Sequence, residues 1–130
     1  MKKFTGIIAG LMIMAFALAG CGSSKLGENY SEDKLKAAAE SVIENTSEGN
    51  YKAVLEGASD ELKAALSEAK LKEVWDLYGE KGKLEEITKM KFEEKDGYGV
   101  VTAIAKYEKK KIQFTLSYNE DMELSGFWLR

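Results

Sequence analysis

From Leu35 onward, apolar residues return at helical spacing. Leu35, Ala38, Ala39, Val42 and Ile43 fall at i, i+3, i+4, i+7 and i+8, while Glu32, Lys36, Glu40 and Glu44 take the other faces. The pattern predicts one amphipathic helix. Ser31 or Asn29 would open it, because a side-chain oxygen there accepts an orphan backbone N–H. Gly49-Asn50 would stop it. Tyr51 to Gly57 predicts a shorter helical piece with Tyr51, Val54 and Leu55 inward. Ser59-Asp60 and Ser67 offer two further caps, followed by Leu62, Ala65 and Leu66, then by Leu71, Val74, Trp75 and Tyr78. Gly79 and Gly82 close the helical half, since glycine suits a left-handed turn.

The period then changes to two. Ile112, Phe114, Leu116 and Tyr118 alternate with Lys111, Gln113, Thr115 and Ser117, the signature of a half-buried strand. Tyr98 to Tyr107 is rich in Val, Thr, Ile and Tyr, and Asp96-Gly97 is a hairpin signal joining it to a strand over Ile87 to Glu93. Asn119-Glu120-Asp121 turns the chain into a fourth strand, Met122 to Leu129. Helices first and four closely connected strands second predict an α+β fold, with the helices on one face of a curved antiparallel meander. Gly126 inside a strand predicts a bulge or a close backbone approach. Trp75 and Trp128 are expected at the helix–sheet seam.

The first residues follow another logic. Lys2-Lys3 precedes an apolar run from Ile7 to Ala17, closed by small residues, which is the layout of a secretory signal. The uncharged stretch Phe4 to Ala19 is 16 residues, short of the roughly 20 that cross a bilayer as a helix. Leu18-Ala19-Gly20-Cys21 then resembles the bacterial lipobox. In lipoproteins carrying that motif the Cys sulfur receives a diacylglyceryl group and the signal is cut just before it. The resemblance implies a signal peptide over 1–20, a lipidated Cys21 with a flexible Gly/Ser-rich tether over 21–30, and a single domain over 31–130. The expected location is a cell membrane, lipid-anchored and facing outside the cytoplasm. Gly22 fits a Gram-positive or a Gram-negative envelope alike.

Processing changes the charge. Without Lys2 and Lys3 the remaining 110 residues hold 17 basic and 22 acidic side chains, a net of −5. Such a domain is a poor partner for nucleic acid. Lys109-Lys110-Lys111 is the only basic run and reads as a solvated turn between strands, or as a contact with anionic lipid headgroups. There is one Cys, so no intrachain disulfide forms. There is no His, which removes the commonest general base and metal ligand. Ser23, Ser41, Ser59, Ser67, Ser117 and Ser125 therefore lack an activating imidazole, and no Gly-x-Ser-x-Gly elbow or phosphate-binding glycine loop occurs. Glu85-Glu86, Glu93-Glu94 and Glu120-Asp121 lack EF-hand spacing. No metal or cofactor is expected.

Several stretches resemble a bacterial lipoprotein family catalogued as domain of unknown function (DUF) 3887: Glu48-Gly49-Asn50-Tyr51, Leu71-Lys72-Glu73-Val74-Trp75, Phe114-Thr115-Leu116-Ser117-Tyr118-Asn119 and Leu124-Ser125-Gly126-Phe127-Trp128. The likeness covers about residues 32 to 130. The order of elements is also similar to the cone-shaped nuclear transport factor 2-like superfamily. That resemblance implies a pocket between helices and sheet, its mouth lined by some of Trp75, Tyr78, Tyr107, Tyr118 and Trp128. The expected role is a non-catalytic binding module for a small apolar ligand or a segment of an envelope protein. The rival is a structural lipoprotein that forms a homodimer through apolar residues on the open sheet face, among Val101, Ala103, Ala105 and Phe127. An isomerase- or dehydratase-like enzyme would draw on Asp76, Tyr78, Tyr107 and Tyr118, but Asp76 lies off the apolar stripe and is expected to be exposed.

Overall fold

The computed structural model describes residues 26–27 and 29–130. The predicted signal, Cys21 and most of the predicted tether lie outside the described residues. Serine caps set the helix starts. Ser31 opens α1 (Glu32–Ser47), its Oγ accepting from the Lys34 N–H at 3.4 Å. Helix α2 (Tyr51–Glu56) follows the left-handed Gly49. Ser59 caps α3 (Asp60–Ala65) through the Leu62 N–H at 3.2 Å, and Ser67 caps α4 (Glu68–Asp76) through the Lys70 N–H at 3.1 Å. Each such cap stabilises its helix by about 1 kcal/mol.

Four strands complete the chain: β1 (Leu84–Lys95), β2 (Tyr98–Tyr107), β3 (Lys111–Tyr118) and β4 (Leu124–Leu129). They pair antiparallel in the order β1-β2-β3-β4, a meander not closed into a barrel. The β1–β2 turn has positive φ at both Asp96 and Gly97, the hairpin geometry whose twist matches that of the strands. Strand β1 begins three residues earlier than its pattern predicts. It is an edge strand rich in Glu and Lys, and two register shifts, at Leu84/Glu86 and Ile87/Lys89, break its alternation. Strand β4 begins two residues later than predicted. Asn119 Oδ1 accepts from the Asp121 and Glu123 N–H groups at 3.0 and 2.9 Å, wrapping that segment into a turn instead.

Alternation decides which sheet face is covered. Val101, Ala103, Ala105 and Tyr107 on β2 share one face with Ile112, Phe114, Leu116 and Tyr118 on β3, and all are buried. Leu35, Ala39, Val42 and Ile43 of α1 join them in one core, with Leu71 and Trp75 of α4. Full burial of each large side chain stabilises the fold by roughly 1.5–3 kcal/mol. Thr46 is also fully buried on α1, and its hydroxyl donates to the Val42 carbonyl at 2.7 Å. The free edge of β4 is partly covered: the Ser59 N–H donates to the Leu124 carbonyl and the Leu124 N–H to the Gly57 carbonyl, each at 2.8 Å.

This placement corrects one expectation. Val101, Ala103 and Ala105 are 0 % exposed beneath the helices, and Phe127 packs edge-on against Phe114 at 6.0 Å. They belong to the covered face, so they cannot serve as an apolar dimer surface. The period-two pattern shows that one face is apolar but carries no mark of which side the helices occupy.

Tyr30 fastens the start of the domain to the sheet. Its hydroxyl donates to the Gly97 carbonyl at 2.6 Å and lies 3.2 Å from the Tyr118 carbonyl. The ring lies over Gly99, where an added Cβ would meet it at 2.7 Å. Gly99→Ala should therefore destabilise the protein by about 1–3 kcal/mol through overpacking, read as a lower midpoint in urea with an unchanged slope.

Candidate functional site

The five aromatics expected around one pocket mouth do not line one cavity. Trp75 on α4 stacks edge-on against Tyr107 at 5.7 Å and tilts against Phe114 at 5.8 Å, a solid seam between α4 and the sheet. Tyr107 is 2 % exposed, and its hydroxyl shares a 2.5 Å hydrogen bond with Ser47 Oγ at the end of α1. Tyr78 packs partly buried against the core, and its carbonyl accepts from Lys110 Nζ. Trp128 is on the opposite face of the sheet, 58 % exposed. Asp76 is exposed and paired with Lys72 at 2.6 Å, as its position off the stripe predicts.

Tyr118 is different. It is 2 % exposed, and its hydroxyl is the buried side-chain oxygen left without a hydrogen-bond partner among the described residues. Such a group costs about 1–3 kcal/mol unless something satisfies it. Tyr118 contributes to the wall of a cleft of about 160 Å³ between α1 and α2. Ala38 and Val42 of α1 and Ala53 and Val54 of α2 form its apolar sides, and Met122 and Leu124 lie below. Ser41 and Asn45 supply polar groups, with Asn45 Nδ2 3.3 Å from Ser41 Oγ. The volume suits a benzene-sized or short branched apolar group.

Met122 holds a left-handed backbone, φ 63°, which is rare for a bulky non-glycine residue and adds strain of about 1–3 kcal/mol. The Asn119 turn enforces it: the Met122 N–H donates to the Asn119 carbonyl at 2.9 Å. The strained Met122 and Tyr118, whose hydroxyl is orphaned, thus border the same cleft. Burial pushes the Tyr118 pKa well above 10, so the hydroxyl stays neutral and serves as a hydrogen-bonding group, not as a base.

Two larger depressions are open to solvent. One of about 890 Å³ follows edge strand β1, from Leu26 and Tyr30 round to Thr102 and Gln113. Another, of about 470 Å³, separates Glu44 and Glu48 from Lys83. Neither has a buried polar group aimed into it among the described residues. Lys81 is 9 % exposed, with Nζ 4.3 Å above the Trp75 ring and donating to the Gly79 carbonyl at 2.7 Å. Burial lowers its pKa, partly countered by Asp76 and reinforced by Lys110. Among the described residues no three His, Cys, Asp or Glu side chains converge on a metal position. No described helix is long and apolar enough to cross a membrane.

Sequence reasoning missed Ser47, whose partner Tyr107 is 60 positions away, and also Lys81 and Met122, which are placed by the turns at Gly79 and Asn119. Ser41 and Asn45 carried a usable signal: at i and i+4 they share one side of α1 with Ala38 and Val42.

The two buried tyrosines should respond oppositely to loss of the hydroxyl. Tyr107→Phe removes one hydrogen bond from Ser47 Oγ, which keeps its donation to the Ile43 carbonyl at 2.6 Å, and should destabilise by about 0.5–1.5 kcal/mol, whereas Tyr118→Phe should be neutral or stabilising. Thermal melts of the two variants distinguish them. Burial also raises the Tyr107 pKa to about 12, partly offset by Ser47. A folded-state pKa above the unfolded value gives stability that is present below pH 10 and lost as pH rises. Denaturant titrations should show stability falling between pH 10 and 12, by up to about 1.4 kcal/mol per pH unit for each such tyrosine, and less steeply in Tyr107→Phe.

Comparison with known proteins agrees with this architecture. An NMR structure of a protein from Ruminococcus gnavus ATCC 29149 is similar, with a TM-score of 0.69 and 25 % identity over 81 % of this chain and 96 % of that one. No curated protein matches the chain. The model of a family described as a protein of unknown function, DUF3887, matches residues 39–127. Those residues run from the middle of α1 to β4, nearly the whole fold, and the chain belongs to the DUF3887 family.

Proposed function

We propose that this chain is an exported lipoprotein, anchored to a cell membrane through lipid on Cys21, whose domain binds a small apolar molecule without transforming it. The observation that carries the binding reading is the largely apolar α1–α2 cleft, whose lining includes Tyr118, the residue with a buried and unpartnered hydroxyl. A ligand with an apolar body and one oxygen or nitrogen acceptor would fill the cleft and satisfy that hydroxyl. The location rests on Lys2-Lys3, the apolar run and Leu18-Ala19-Gly20-Cys21. The non-catalytic reading rests on the groups at the cleft. Ser41, Asn45 and a tyrosine kept neutral offer hydrogen bonds but no acid–base pair near neutral pH. Helices followed by a curved meander support a nuclear transport factor 2-like ancestry.

Native mass spectrometry of the protein from its own envelope tests both halves. The anchor predicts a chain beginning at Cys21 with added diacylglyceryl mass, and a bare thiol or an uncut signal would remove it. The cleft predicts a further, non-covalent small-molecule mass that Ala53→Phe, by filling the cleft, abolishes. Tyr118→Phe should weaken retention by about threefold to tenfold, the worth of one hydrogen bond. A wild-type chain that carries no such mass, or an Ala53→Phe chain that retains it, would overturn the small-ligand reading.

A further inference from the structure

The charge of this domain is unevenly placed. From Asn29 to Gly82 the chain has 12 acidic and 7 basic residues, whereas from Lys83 to Arg130 it has 9 of each. Alternation then sorts the second group. The uncovered sheet face carries Lys89 and Lys91 of β1, Lys106 of β2 and Lys111 of β3, with Arg130 beside Gln113. All five are exposed. Only Glu86 and Glu93 occupy that face at paired positions, while Glu85 reaches Lys106 at 3.5 Å. Much of the remaining acid of this half, including Glu94, Asp96, Glu120 and Asp121, lies at the turns of one end. An acidic protein thus presents one basic face.

Trp128 sits on the same face, opposite Thr115. Gly126 precedes it by two residues, and the indole lies where a Cβ on Gly126 would be, so the missing side chain forms the shelf that holds the ring against the sheet. The exposed indole, folded back over Gly126 beside Thr115 and Ser117, shares this face with the lysines of the other strands and so adds an apolar plate to their cationic arms. That is the composition favoured at the headgroup level of a bilayer, where Trp settles and Lys stems lie along apolar surface with their charges outward.

We propose that the uncovered sheet face rests on an anionic membrane surface, with the basic side chains meeting lipid phosphates and Trp128 entering the headgroup layer. The proposal uses the anchoring reading for its location. Charge complementarity selects the occupant: two copies of this face would oppose like charges, whereas an anionic leaflet attracts each lysine by about 1 kcal/mol close to the surface. Reach permits it. The eight residues between Cys21 and Ser/Asn-bounded Tyr30 span at most about 28 Å, comparable to the length of one sheet strand. A lipid chain combined with a basic patch is also a more durable attachment than either alone.

The test uses the full processed chain, purified from the envelope and reconstituted into vesicles of phosphatidylcholine alone or with about 30 % phosphatidylglycerol. Intact mass first reports whether Cys21 is lipidated; if it is not, the chain is added to the same vesicles from solution, so failure of the anchor is distinguished from failure of the face. Brominated lipid should quench tryptophan emission at least about twofold more with phosphatidylglycerol, and about 0.5 M salt should remove the difference. Trp128→Phe should show little quenching, because Trp75 is buried. Lys89→Glu with Lys91→Glu should behave in phosphatidylglycerol as the wild type does in phosphatidylcholine. Equal quenching in both lipids, an unaffected lysine variant, or a Trp128 signal that depends on protein dilution rather than lipid charge would overturn the proposal, the last by showing a second copy on this face.

Discussion

The structure depends on one burial constraint: a four-stranded sheet has a single apolar face, and one long helix must cover most of it. Helix α1 does so because β2 offers it small residues. Ala103 and Ala105, with Val101, leave room for Leu35, Ala39, Val42 and Ile43 to approach the middle of the sheet, and all of these are buried. The bulk missing from β2 is supplied by its neighbours, Phe92 and Met90 on one side and Phe114 and Leu116 on the other. Large and small side chains facing one another interdigitate at crystal-like density. The shorter helices are arranged around that contact. Helix α4 inserts Trp75 against Tyr107 and Phe114, and α2 and α3 close the end nearest β4.

The cleft follows from the same arrangement. Helix α2 is only six residues long and α3 buries no residue of its own, so neither fills the space beside α1 completely. Tyr118 closes the core at that end, but its hydroxyl extends beyond the last available partner. Tyr107, the last residue of β2 at the other end of the sheet, meets Ser47 and is satisfied. Two tyrosines on adjacent strands thus differ in chemistry because α1 ends beside one of them and passes the other without offering an acceptor.

Much of this was legible in the residues. The i, i+3, i+4 stripe from Leu35, the serine caps at Ser31, Ser59 and Ser67, the Asp96-Gly97 turn and the alternation of β3 each act within a few positions, and the structure follows them. The family was legible too, in Leu71 to Trp75 and Leu124 to Trp128. What was not legible depended on long-range choices. Alternation divides a strand into two faces without saying which one helices cover, which is why the rival reading can put Val101 and Ala105 on an open face. Trp128 reads as a seam residue by type, yet its parity with Thr115 puts it on the open face. The Tyr118 hydroxyl is orphaned by what surrounds it, a property that no local pattern encodes.

Tyr30 gives the fold a mechanical property. Its hydroxyl reaches the β1–β2 turn and the end of β3, and nearby the Gly27 N–H donates to the Glu94 carboxylate at 2.7 Å. A pull on the chain from its N-terminal side therefore arrives at three strands before it reaches the first turn of α1. The load is shared by a sheet whose strands are joined by ladders of hydrogen bonds, instead of peeling a helix from its end. Under the proposed attachment by its N-terminal end, that clamp would act as a strain relief, keeping tension out of the helix that covers the core.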